Sequence, residues 1–279
     1  MKAILVLTDF SEAAHNAALY AACLTHQLET DQLILYHSYE FKAPAEVPLP
    51  GPSEMETLHQ TSADSLTELK NRLRTFINER TLIDTLNDER PLLMAVTDIT
   101  TRYQVELIVM GITGKNGLER VLIGSNTMIM AKESIIPVLL VPPEARYDKI
   151  RRVAFACDLK SVSASTPARE IRSLVHTLDA KLLVLNVDTE DRANFAPDTI
   201  NEQMVLHQLW DKEDPEYHYA VHEDIAVGIL EFTVEHDIQL VIAVPRQHTF
   251  FDRLFHGSLT KKLAFYTLIP LLLMREKRV

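Results

Sequence analysis

The chain of 279 residues predicts two tandem, doubly wound α/β domains, each with a parallel sheet. Short apolar runs of strand length alternate with segments of helical periodicity, and strands that are linked by helices pair in parallel with right-handed crossovers. The second half repeats the order of strands and turn residues of the first, which indicates a duplication. We expect domains at residues 1–143 and 150–279, separated by the polar linker at 142–148.

The duplication is visible as two constant offsets. Near the start of each half, Asp9 matches Asp158 at an offset of 149 residues. Later in each half the offset is 133 residues, as between the apolar runs 105–109 and 238–242. The difference of 16 residues falls between the second and fourth predicted strands, where the first half carries a proline-rich loop at 43–52.

In the first half, each element follows from its own pattern. The predicted strands are Ala3 to Leu7, Gln32 to His37, Leu82 to Leu86, Leu107 to Met110 and Val138 to Val141. Ser11 is a predicted N-cap, and the helix after it has an apolar face of Ala14, Ala17, Ala18, Ala21, Leu24 and Leu28. A second helix is predicted from Leu66, Leu69, Leu73 and Phe76, and a third from Pro91 to Gln104.

The second half begins with a predicted strand from Val153 to Cys157. Pro167 suits the first turn of the next helix. Proline has no backbone N–H, and an N–H in the first turn would have no partner within the helix. The apolar face expected for that helix comprises Ile171, Leu174, Val175 and Leu178.

Composition narrows the class of protein. A net charge of -11 argues against nucleic acid or an anionic membrane as partner, because neither is attracted to an acidic surface. The only cysteines, Cys23 and Cys157, provide no disulfide framework, which favours a reducing cytoplasm. The first apolar run is too short for a signal peptide, and no stretch reaches the roughly 20 apolar residues of a membrane span. We therefore expect a cytoplasmic protein.

A glycine-bearing loop follows the predicted fourth strand. Gly111 and Gly114 are separated by two residues, and Gly124, Ser125 and Asn126 follow after nine intervening residues. Glycines let the backbone turn tightly and bring its N–H groups close to a ligand. The helix expected after Ser125 adds free N–H groups and a dipole that favour an anion. The spacing predicts a phosphate site.

Asp9 comes just after the first predicted strand, and Gly111 ends the fourth. Ligands of open parallel sheets bind beyond the carboxyl ends of strands where the strand order reverses. If these strands are neighbours, Asp9 accepts hydrogen bonds from a base or ribose, with Lys115 and Arg120 as counter-charges for a polyphosphate. Two simpler interpretations stay open: Gly111 is an ordinary turn glycine, and Asp9 belongs to an N-capping turn.

Four segments resemble the universal stress protein A family. They are Leu7-Thr-Asp-Phe-Ser-Glu12, Leu35-Tyr-His-Ser38, the run from Val109 through Gly114 to Gly124-Ser125-Asn126, and Ile136-Pro-Val-Leu-Leu-Val-Pro142. The resemblance covers nearly all of residues 1–143. The second half looks like the same fold with a diverged loop, so the whole chain resembles tandem members of the family.

This resemblance implies five-stranded sheets of strand order 3-2-1-4-5 and ATP bound by the intact motif. Asp9 would then meet the nucleoside, and Ser38, which replaces a more usual apolar residue, would contact adenine through its backbone. Ribose and phosphates would be surrounded by Gly111, Gly114, Gly124, Ser125 and Asn126. The resemblance also implies that the domains pair through their fifth strands, 138–141 and 271–274, as an intramolecular pseudo-dimer.

The second copy of the loop has lost its glycines. Val244 replaces Gly111 and Gln247 replaces Gly114, while Asp158 and the Gly257-Ser258 pair are kept. Side chains at both positions, with Pro245 restricting the backbone, should block the close approach that a phosphate needs. Two interpretations remain: another anion bound by Arg246, His248, Arg253 and His256, or a crevice filled by Phe250, Phe251 and Phe255. We favour the second, and so expect one nucleotide per chain.

The function predicted is that of an ATP-binding regulatory protein, a sensor or switch, with Mg²⁺ or Mn²⁺ on the phosphates. No residue pattern supplies a positioned general base, so at most slow hydrolysis is expected. The alternative is a non-nucleotide adaptor or small-ligand platform; an adenylate-transferring enzyme ranks below it, since its signature loops are absent. Further association of chains, as a homo-oligomer, and any protein partner are left open.

Two weaker candidates lie in the second half. His218 and His222 share a predicted strand face, but no third ligand stands at a suggestive spacing, so a zinc site is not predicted. Cys157 precedes Asp158, whose carboxylate disfavours a reactive thiolate, and is interpreted as a buried strand cysteine.

Overall fold

The computed structural model describes residues 1–39, 51–112, 125–189, 197–211, 213–245 and 269–276. Within these residues the chain divides into two compact units, with the division between Pro143 and Glu144. Among the described helices, none is both long and apolar enough to cross a membrane.

Unit 1 is a five-stranded parallel sheet with interleaved helices. Its elements are β1 (Ala3–Leu7), α1 (Glu12–Leu28), β2 (Gln32–Ser38), α2 (Pro52–Leu73), β3 (Leu82–Asp88), α3 (Leu92–Tyr103), β4 (Val105–Gly111), α4 (Ser125–Glu133) and β5 (Val138–Val141). The strand order is β3-β2-β1-β4-β5, so the predicted order is confirmed.

The sequence of β1 explains its central place. All five of its residues are apolar and buried, as a strand covered on both faces requires. The alanine-rich face of α1 packs over this region, and its predicted residues are all buried. In the register, Leu7 lies opposite both Tyr36 of β2 and Met110 of β4, so the carboxyl ends of three strands meet at one edge.

Unit 2 repeats this plan. Its elements are β6 (Arg152–Ala156), α5 (Val162–Ser165), α6 (Ala168–Thr177), β7 (Lys181–Asp188), α7 (Pro197–Leu209), β8 (Glu216–Val221), α8 (Ile225–Glu235), β9 (Leu240–Ala243) and β10 (Leu271–Leu273). The strands pair in parallel in the order β8-β7-β6-β9-β10, which is again the 3-2-1-4-5 order. The pairing of the two fifth strands stays a prediction.

One detail of the predicted helices was wrong: Phe76 lies beyond the end of α2 and is 44% exposed. The helix predicted to begin at Pro167 is α6, which has Pro167 as its N-cap. The short helix α5 precedes it, whereas unit 1 has the 17 residues of α1 in the same place. Thr166 at the break is extended, with φ -81 and ψ 117, because Pro167 after it disfavours the helical conformation.

Candidate functional site

A cavity of about 190 Å³ lies in unit 1, at the carboxyl ends of β1, β2 and β4. This is the edge where the strand order reverses between β1 and β4. Its lining residues are Leu7, Thr8, Asp9, Ser11, Ala14, Tyr36, His37, Ser38, Leu92, Met110, Gly111, Ser125, Asn126 and Thr127. The position is the one that open parallel sheets use for ligands.

Five of the predicted site residues line this one cavity: Asp9, Ser38, Gly111, Ser125 and Asn126. They come from four separate segments of the chain, which the sheet order brings together. The other three, Gly114, Lys115 and Gly124, lie outside the described residues, as does Arg120.

Short-range hydrogen bonds fix the loop that carries Asp9. Phe10 N donates to Thr8 Oγ1 over 3.0 Å, and Ser11 N donates to Asp9 Oδ1 over 3.0 Å. Ser11 Oγ in turn accepts from Ala14 N as the N-cap of α1. The capping-turn interpretation of Asp9 is therefore correct for Oδ1, while Oδ2 accepts no hydrogen bond from the described residues. That oxygen is available to a ligand.

Phe10 holds a left-handed backbone conformation, with φ 60. A bulky side chain in this region costs about 1–2 kcal/mol, so the surrounding structure must hold it there. Its ring contacts His37, with the ring centroids 4.6 Å apart. Leu159, the matching residue of unit 2, has φ 52, so both units keep the strained turn after the aspartate.

His37 lines the cavity, although no sequence pattern singled it out. Its Nδ1 is 2.8 Å from Ser62 Oγ on α2. Burial lowers the pKa of His37 below its usual value, and the charge of Asp9 opposes this shift only in part. At neutral pH the ring is uncharged. The only signal in the sequence was its place next to Ser38 at the end of a strand.

A hydrogen-bond network supports the β2 side of the cavity. Ser38 Oγ donates to Arg90 O over 2.9 Å, so this hydroxyl belongs to the framework. Tyr36 Oη donates to Asp88 Oδ1 over 2.9 Å, and Arg90 binds Asp88 Oδ2 through Nε and Nη2. Burial would raise the pKa of Asp88, but the bonds from Arg90 and Tyr36 lower it below its ordinary value. Asp88 therefore stays ionised and fixes Tyr36.

Packing explains why residue 111 is a glycine, and the sequence alone did not reveal this. A Cβ at this position would lie 2.5 Å from Ala13 O and 2.9 Å from Ala14 N, both in the backbone of α1. Real Cβ atoms do not approach backbone this closely, so the glycine is needed for α1 to pack against β4. Gly111 thus serves the fold and also lines the cavity.

The first residues of α4 complete the described wall. Ser125 and Asn126 are exposed at the helix start, and Thr127 behind them is buried. Backbone N–H groups in the first turn of a helix have no partner within the helix and favour an anion. The carboxylate of Asp9 and an anion-favouring helix start therefore border the same space.

Unit 2 has a cavity of about 140 Å³ in the corresponding place, lined by Ala156, Cys157, Asp158, Lys160, Leu185, Asn186, Val187, Asp188, Ile225 and Ile229. Asp158 stands at the position of Asp9, Asn186 at that of His37 and Val187 at that of Ser38. The sequence predicts that Phe250, Phe251 and Phe255 fill this crevice, but these residues lie outside the described residues. The same holds for the other loop residues named above: Arg246, Gln247, His248, Arg253, His256, Gly257 and Ser258.

The two weaker candidates have other contacts. His222 Nδ1 accepts from Asp224 N over 2.9 Å, and His218 packs against Phe232 and His236. In the part of the chain that the structure describes, no group of three or more His, Cys, Asp or Glu residues could hold a metal ion. Cys157 is buried just after β6.

Comparisons with known proteins cover both units. The model of the universal stress protein family matches residues 1–142. A universal stress protein of Methanocaldococcus jannaschii is 28% identical over 141 residues, 50% of this chain and 81% of the relative. A solved universal stress protein from Archaeoglobus fulgidus matches over 98% of both chains, with a TM-score of 0.69 and 15% identity. A second solved structure, from Pseudomonas aeruginosa, matches over 98% of this chain and 93% of its own, with a TM-score of 0.59 and 11% identity.

Proposed function

The chain belongs to the universal stress protein family, and from this premise we propose that unit 1 binds an adenine nucleotide, specifically ATP. The observation that carries the proposal is the cavity where Asp9, Ser38, Gly111, Ser125 and Asn126 meet. The sequence predicts each of these residues for the site, although they lie in four separate segments of the chain.

The described residues fit such a ligand. Asp9 Oδ2 is an open acceptor for ribose hydroxyls or a base amine, and the start of α4 at Ser125 favours phosphate oxygens. The uncharged ring of His37 and the side chain of Leu92 offer apolar surface for a base. Gly114, Lys115 and Gly124 would extend the phosphate contacts, and Mg²⁺ or Mn²⁺ would be held chiefly by the phosphates themselves.

The role we assign is that of a sensor or switch in the response to stress. The occupied fraction of a single site rises with nucleotide concentration, and binding stabilises the folded protein. Occupancy of unit 1 would therefore report the nucleotide level. We expect hydrolysis to be slow at most. We expect this role in a reducing cytoplasm, and Cys23 and Cys157 form no disulfide.

Replacing Asp9 by Asn tests the proposal, because the change removes the charge and keeps the shape. Hydrogen bonds to a charged group contribute about 1.5–3 kcal/mol, so we expect ATP affinity to fall about tenfold or more. Isothermal titration calorimetry on the full chain measures the change. The matched control is Asp31→Asn, an exposed carboxylate that precedes β2 at the opposite end of the strand and should leave the affinity unchanged.

Two results would contradict the proposal. If wild-type protein binds no ATP, the adaptor alternative is favoured and the cavity has another use. If ATP binds but Asp9→Asn and Asp31→Asn bind it equally well, the nucleotide does not sit against Asp9.

A further inference from the structure

The cavity of unit 2 contains a buried amide whose oxygen is not used by the fold. Asn186 is 5% exposed, and its Nδ2 donates to Cys157 O over 2.9 Å. This bond fixes the amide orientation, because a flipped amide would bring two oxygens together. Asn186 Oδ1 accepts no hydrogen bond from any residue that the structure describes. Leaving a buried acceptor without a hydrogen bond is unfavourable, so its retention needs a reason.

The residues around Asn186 are rich in acceptors. Asp158 and Asp188 add two carboxylates, and Oδ1 of each already accepts a local backbone N–H, from Lys160 and Thr189 respectively. The lining includes one cationic side chain, that of Lys160, which is exposed. A molecule that binds here must therefore bring hydrogen-bond donors.

The same surroundings disfavour phosphate. Val244, at the position that Gly111 holds in unit 1, is 4% exposed and packed, and Pro245 follows it without a backbone N–H. Carboxylates at Asp158 and Asp188 repel an anion at close range. The remaining walls, formed by Val187, Ile225 and Ile229, are apolar, so a ligand with an organic body is favoured over a hydrated ion.

We propose that unit 2 binds a small, phosphate-free organic molecule that donates N–H hydrogen bonds to Asn186 and Asp158. The volume of about 140 Å³ is close to that of a cavity of about 150 Å³ that accepts benzene, so the ligand is of the size of a single small ring system or a short chain. An amino-substituted heterocycle and an aliphatic diamine share this chemistry. The proposal does not depend on nucleotide binding in unit 1.

The test titrates the full wild-type chain with adenine, with putrescine and with inorganic phosphate by calorimetry. We expect one of the two nitrogen compounds to bind and phosphate not to bind at unit 2. Asn186→Leu should weaken that binding about tenfold or more, since it removes the acceptor. Asp158→Asn provides a second variant of nearly unchanged shape, which keeps the test valid if Asn186→Leu does not fold.

Asp31→Asn is the control, because it makes the same chemical change at an exposed carboxylate that lines neither cavity. Binding that falls in Asp158→Asn and is unchanged in Asp31→Asn supports the proposal. The proposal is overturned if neither compound binds. It is also overturned if phosphate competes for the site, or if binding is lost in Asp9→Asn but kept in both unit 2 variants.

Discussion

Gly111 shows how one residue can have two roles. From the sequence, its place after an apolar strand predicts close approach of backbone to a phosphate. In the structure, the space that its Cβ would need is taken by Ala13 O, 2.5 Å away in the first turn of α1. In unit 2, Val244 holds the equivalent position, and there the helix after β6 is a single short turn, α5, before the break at Pro167. The unit with glycine at this position therefore has a long first helix, α1, and the unit with valine has a short one, α5.

We expect Gly111→Ala to destabilise unit 1 by about 1–3 kcal/mol, as other overpacked sites do, because neither backbone segment can move freely. The measurement is urea denaturation of the full chain. Gly228→Ala should cost less, since its Cβ would meet side-chain atoms of Val187 and His222 at 2.8 and 2.9 Å. Gly51→Ala, whose nearest contact would be 4.0 Å away, should change stability least. Equal effects of all three would contradict the packing explanation.

The residue scale also shows what a sequence can reveal. Asp9 and Ser11 were identifiable because their hydrogen bonds are local, within three residues along the chain. His37 was not, because its partner Ser62 is 25 residues away on α2. Asn186 was missed for a related reason: its unused oxygen is defined by burial, which periodicity does not report atom by atom.

At the scale of elements, α1 and α5, the helices that follow the first strand of each unit, have different N-caps. Ser11 has extended backbone and accepts a hydrogen bond from Ala14 N, as an N-cap does. Ser161 occupies the N-cap of α5 with left-handed backbone, and its side chain makes no capping bond. Instead, Val162 N donates to Glu202 Oε2 of α7 over 2.7 Å. The same residue type thus stabilises only one of the two helices through its hydroxyl.

Ser11→Ala should therefore lower the free energy of unfolding by about 1 kcal/mol, the usual effect of losing a capping hydroxyl. Ser161→Ala is the matched control and should stay within about 0.5 kcal/mol of wild type, as surface substitutions generally do. Chemical denaturation of both variants under one set of conditions provides the comparison. If the two serines prove equally important, the capping bond seen at Ser11 contributes little.

Element positions were predictable where the pattern is strong. The strands of unit 1 begin and end within two residues of their predicted bounds, because an apolar run of strand length between turn residues has few alternatives. One helix end was misplaced, because Phe76 continues the helical period of α2 but lies past its end. Pro167, predicted at the start of a helix, is the N-cap of α6. In α6, Leu174 and Val175 are only half-buried.

For the whole molecule, duplication preserves the place of a cavity and changes its chemistry. Both cavities lie beyond the first strand of their unit and include an aspartate, Asp9 or Asp158. The loops after the fourth strands have diverged, with Gly111 and Gly114 kept only in the first half. Two units of one fold therefore should not bind the same ligand.

The prediction at this scale is a stoichiometry of about one ATP per chain, although the fold is present twice. Calorimetry with a saturating titration measures it, and Gly114→Val should abolish the single event, because a branched side chain blocks backbone approach to a phosphate. Gln247→Gly, at the equivalent position of unit 2, is the matched control and should not create a second event, since Val244 and Pro245 remain. A measured value near two, or binding unaffected by Gly114→Val, would show that glycines in this loop do not decide where the nucleotide binds.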